Sequence, residues 1–197
     1  STPDHYAKMS YDILKYEFKH GINNYLASTS PDLVATCTLQ QLITFNEARG
    51  QVELALFDQS IFEASQAMGS LESEEYIIAV QEVQKATREN GIKQLLQEYD
   101  VQVLVAPSGP IVPRIDPING DVWPSNWPGF GGYAAKAGYP HITVPMGGIH
   151  GLSVGLSFIG DSNTDAAILS YAYAYEQHSG RLLAPQYLRN AQALPFI

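Results

Sequence analysis

The residues whose types and spacing most directly suggest chemistry are Gly151-Leu152-Ser153-Val154-Gly155, followed by Asp161 or Asp165 and then His178. The string satisfies the G-x-S-x-G pattern of a nucleophile elbow, and the three residue types follow in the Ser…Asp…His order used by α/β-hydrolases. Acyl transfer by such a serine needs a tight strand-to-helix turn, so that the oxygen projects clear of the sheet. Leu156 to Ile159 instead continue an alternating strand, which places Ser153 in mid-strand. Gly129-Phe130-Gly131-Gly132-Tyr133-Ala134 matches the loose dinucleotide fingerprint G-x-G-x-x-A. That motif must follow a strand and needs an acidic residue ~20 positions on to hold a ribose. Here Trp123 to Pro128 precede it, and the later position is Val154.

Asp161-Ser162-Asn163-Thr164-Asp165 begins like a calcium loop, but Ala166 and Ala172 stand where glycine and glutamate are required. A turn followed by a helix cap accounts for the same residues. His5, His20, His141, His150 and His178 show no paired spacing, so no metal site is expected. Cys37 has no activating neighbours and is expected to be a small buried residue. No cofactor is expected.

The elements that would position these groups fall into two stretches of a single partial domain over 1–197. Residues 5–100 read as mainly helical. Thr38 with Gln41 fits a capping box ahead of Leu39, Leu42, Ile43 and Phe45. Ser73 with Glu74 and Glu75 marks a second helix start, followed by a stripe of Tyr76, Ile77, Val80, Val83 and Thr87. Asn90-Gly91 either interrupts that helix or is carried through to Tyr99. Residues 101–197 hold strands, a long Pro/Gly loop over 107–132 and a C-terminal helix. Alternation predicts a strand over 101–106 that Pro107 stops, and His141 to Val144 reads as a short strand closed by Pro145. In 152–159, Leu152, Val154, Leu156 and Phe158 share one face. Ser153, Gly155 and Ser157 leave the other face low enough for a helix to approach. Tyr133 to Lys136 suits a short helix ended by Gly138. Thr164 and Asp165 start a helix carrying Ile168, Tyr171, Ala172 and Tyr175 on one side, ended by Gly180.

Composition narrows the class. With 197 residues, 45% hydrophobic and 16% charged, the chain is globular rather than disordered. Eleven Lys and Arg against twenty Asp and Glu give a net charge of −9, so nucleic acid is not an expected partner. No apolar run reaches the ~18 residues of a membrane span, and no secretory leader is expected. A soluble chain without disulfides is expected, with the cytoplasm the favoured compartment. The loop over 107–132 has six prolines and five glycines, and it carries Trp123, Trp127 and Phe130. Loops this long are uncommon in compact domains unless functional or disordered.

One ordered series of segments resembles the C-terminal part of amidase-signature enzymes. Residues 5–27, with Tyr11, Phe18 and Tyr25-Leu26, are similar to the helix that begins that part. Thr38-Leu39 to Asn46, Phe57-Asp58-Gln59 with Ala64, and Tyr76 to Arg88 resemble the segments that follow. Val101 to Ser108 is similar to the strand ending in "aPT". Ala137-Gly138-Tyr139-Pro140-His141-Ile142-Thr143-Val144-Pro145-Met146-Gly147 nearly reproduces the family's "AGYPAITVPMG", with His141 as the departure. Leu152 to Gly160 and Ala174-Tyr175-Glu176-Gln177 complete the order.

The resemblance implies an α/β fold, in which about three strands of a mixed sheet are covered here by helices. It also implies an amide-bond hydrolase working through a Ser–cis-Ser–Lys triad. A lysine serves as base only when burial and neighbouring donors hold it neutral. The family's glycine- and serine-rich signature is not present, so no catalytic residue is expected in this chain, and alone it is expected to be inactive. Its role would be to supply sheet strands and substrate-pocket walls for a small-molecule amide bound together with the N-terminal half. Trp123, Trp127 and Phe130 are the candidates for lining that pocket. Two other readings stand beside this one: a non-catalytic binding module or homo-oligomer, and a hydrolase centred on Ser153.

Overall fold

A computed structural model describes residues 4–113, 115–116, 118, 120, 129 and 131–187. The chain divides into two compact units, Ser1–Val83 and Gln84–Ile197.

The first unit is helical: α1 (Asp4–Ala27), α2 (Leu39–Ala48), α3 (Gly50–Glu53), α4 (Ser60–Gln66) and most of α5 (Glu74–Thr87). Thr38 caps α2 as its residue type dictates, its Oγ1 accepting from the Gln41 amide at 3.2 Å. The Gln41 side chain reaches back to the Cys37 amide at 2.6 Å, one residue beyond the usual reciprocal partner. Leu39 and Ile43 are buried, and the Leu39 amide donates to Asn23 Oδ1 of α1 at 2.7 Å. Buried Gln59 ties α2 to the start of α4. It donates to the Ile43 carbonyl at 3.4 Å and accepts from Asn46 Nδ2 at 3.2 Å.

Helix α5 begins where the acidic residues predict, but its details differ. The Ser73 carbonyl takes the Ile77 amide, while the Ser73 hydroxyl is buried without a hydrogen-bond partner among the described residues. The buried positions are Ala79, Val83 and Thr87, and Ile77 is exposed rather than part of the stripe. Two residues from Ala79, Ile77 lies ~200° around the helix, so both cannot face one neighbour. Tyr76 keeps its place on the unit's packed side, its hydroxyl donating to Glu17 at 2.9 Å.

Asn90-Gly91 does interrupt the helix. A π-helical turn spans Arg88–Ile92, Gly91 leaves helical geometry (φ −133°, ψ −110°), and α6 (Lys93–Glu98) follows. A Cβ on Gly91 would sit 2.9 Å from the Ala86 carbonyl oxygen, so glycine is required there.

The second unit is built on an antiparallel sheet in the order β1-β3-β2, with β1 (Leu104–Pro107), β2 (His141–Ile149) and β3 (Leu152–Ile159). The strand predicted over 101–106 therefore starts later and includes Pro107. The Val101 amide is committed to the Leu96 carbonyl at the end of α6, which holds 101–103 out of the ladder. Pro107 is tolerated because β1 pairs on one side only, where a missing donor costs no ladder bond. Likewise β2 does not stop at Pro145. A bulge between Pro145 and Gly147 skips Met146, Gly147 takes φ +137°, and pairing resumes to Ile149. His150 and Gly151, at φ +51° and +75°, close the two-residue β2–β3 turn.

One face of the sheet packs on α8 (Asp165–Ser179), as the alternation predicts. Val144, Phe158 and Ala172 form the buried centre, with Leu156, Tyr171 and Tyr175 around it. Gly180 ends α8 in the left-handed conformation. On the other face, helices among the described residues cover the Ile159 end: Ile92 of the π-helical turn, Leu96 of α6, and Ala134 and Ala137 of α7 (Gly131–Ala137) pack there. Arg88 Nε donates to the Ala137 carbonyl at 2.6 Å and so caps α7. The helix expected against Ser153, Gly155 and Ser157 is replaced by a polar cluster drawn from all three strands.

Candidate functional site

The register explains the cluster. Ser157 in the central strand opposes Ala106 of β1 and Thr143 of β2, and directly opposed residues share a face. Ser108, one residue past β1, is held beside Gly155 by its amide bond to the Gly155 carbonyl at 2.8 Å. His141 opposes Ile159, two residues from Thr143 on the same side of β2. Four polar side chains thus meet on one surface.

They form a continuous line. His141 Nε2 lies 2.7 Å from Ser157 Oγ, Ser157 donates to Ser108 Oγ at 2.9 Å, and Ser108 donates to Thr143 Oγ1 at 3.1 Å. A hydroxyl has one proton to give. The tautomer of His141 sets whether Nε2 donates to Ser157 or accepts from it, and each hydroxyl of the line can give its proton in either direction. His141 stays exposed at its outer side, and the partial desolvation of its ring lowers the imidazole pKa from its ordinary value.

Two glycines make the geometry fit. A Cβ on Gly155 would lie 2.6 Å from Thr143 Cγ2 and 2.8 Å from Ser108 Oγ. A Cβ on Gly131, at the start of α7, would lie 3.3 Å from the His141 ring. Ser157 is fully buried, so its hydroxyl cannot reach a substrate carbon; it holds the line in place. His141 and Thr143 are exposed, and they are the members that can meet a ligand.

The sequence-predicted groups stand as follows. Trp123, Trp127 and Phe130 lie outside the described residues. Ser153 pairs with Gly148 within β3, so the elbow geometry is absent. Asp161 accepts from the Ser162 amide at 2.7 Å, and Thr164 donates to the Asp161 carbonyl at 2.7 Å, so the expected turn is present, while Thr164 stands at the N-cap position of α8 without a side-chain capping bond. Among the described residues no group of three His, Cys, Asp or Glu is placed to hold a metal ion. Cys37 is half-buried, not fully enclosed as its type suggested. His141, Ser157, Ser108 and Thr143 were not singled out together. Their alternation on strands was visible, but the cross-strand register that assembles them was not.

No helix among the described residues is long and apolar enough to cross a membrane. No protein-family model matches the chain, and no curated protein matches it. Solved structures do. PAM12A aligns at 35% identity over 94% of this chain, with a TM-score of 0.82. The native peptide amidase from Stenotrophomonas maltophilia aligns at 34% identity over 95%, with a TM-score of 0.78. An amidase family protein from Bacillus anthracis strain Ames aligns at 26% identity over 89%, with a TM-score of 0.66. The chain spans 36%, 36% and 30% of those chains, respectively.

Proposed function

Because the chain belongs to the amidase-signature family, as one part of that fold, we propose that it is the scaffold portion of an amidase. It supplies sheet strands and substrate-pocket walls, while a Ser–cis-Ser–Lys triad in the remainder of the enzyme hydrolyses the carbon–nitrogen bond. In that triad the lysine draws the second serine's proton, that serine draws the nucleophile's, and backbone N–H groups receive the oxyanion. The observation that carries the reading is the alignment of nearly the whole chain with peptide amidases at 34–35% identity.

The lysines of this chain support it. Lys8 and Lys15 pair with Asp12, Lys19 donates to the Gln66 and Met68 carbonyls, and Lys85, Lys93 and Lys136 are exposed. None of these settings is the enclosed, donor-lined pocket that a lysine base requires. The proposed substrate is a small peptide-type amide, and Trp123, Trp127 and Phe130, which lie outside the described residues, are the proposed lining of its pocket.

The experiment compares the 197-residue chain alone with the same chain joined to the region encoded before Ser1, reading ammonia released from a simple carboxamide. No turnover is expected from the chain alone, and turnover is expected after joining. Hydrolysis by the chain alone, lost on replacing one of its own serines or lysines, overturns the proposal.

A further inference from the structure

We draw no further inference here: the strongest candidate, the apolar groove between α1 and α4 lined by Tyr11, Leu14, Phe18 and Ile61, is an open surface, and nothing among the described residues shows what covers it.

Discussion

Replacing Gly155 by alanine tests whether the sheet's polar face is as tightly built as its register implies. The new methyl would meet Thr143 Cγ2 at 2.6 Å, Ser108 Oγ at 2.8 Å and Ser108 Cβ at 3.1 Å. Ser108 cannot simply retreat, because its amide is bonded to the carbonyl of the same glycine. Rotating its side chain breaks the bond from Ser157 or the bond to Thr143. Overpacking of this kind costs about 1–3 kcal/mol. Leaving the buried Ser157 hydroxyl without its acceptor adds about 1 kcal/mol. The reduced freedom of the unfolded chain returns about 0.4–1 kcal/mol. The net expectation is a loss of about 1–3.5 kcal/mol, read as a lower urea midpoint by circular dichroism. Gly132→Ala is the control: it lies in α7 with nothing within 4 Å of its added carbon, and should gain up to about 1 kcal/mol from helix propensity. A Gly155→Ala protein as stable as the wild type would refute the packing argument.

Stability should also respond to pH through His141. Burial lowers its folded pKa, so the unfolded chain, titrating near 6.5, binds the proton more readily. The stabilisation is complete above about pH 6.5 and is lost as pH falls from there toward the folded value. The drop in urea midpoint between pH 7.5 and pH 5.5 should be smaller in His141→Phe than in the wild type; equal drops would show that this imidazole does not titrate as described. In the joined protein of the proposed function, replacing Trp123 and Trp127 together by alanine should raise KM or shift preference among amides, and unchanged kinetics across several amides would remove the proposal that they line the pocket.

Much of the fold was legible because local chemistry agreed with it. Thr38 caps α2, Gly138 and Gly180 end α7 and α8, and the Leu156–Phe158 alternation marks the face that α8 covers. The strand ends depart from the sequence expectation for a common reason: proline does not stop either strand. At Pro107 the strand has no second neighbour to bond, and at Pro145 a bulge absorbs the missing donor. The polar face was hidden at a different level. Ser153, Gly155 and Ser157 were recognised as small, and small residues on a strand usually admit a helix. Only the pairing of Thr143 with Ser157 and of Ser108 with Gly155 shows that the space is filled by hydroxyls instead.

The sheet itself argues for a larger assembly. In the order β1-β3-β2, both outer strands have one edge without a described partner, and nine-residue β2 carries no lysine to discourage pairing. Val105 and Ile149 on those strands are exposed. Open edges of this kind are protected in stable proteins by charge, cover or further strands. Charge is missing, and the β2 bulge interrupts only part of one edge. Additional strands from the rest of an amidase would satisfy the backbone and leave the His141–Thr143 face as a floor rather than an edge. A face built of neutral, pre-paired donors and acceptors is costly to bury under apolar side chains.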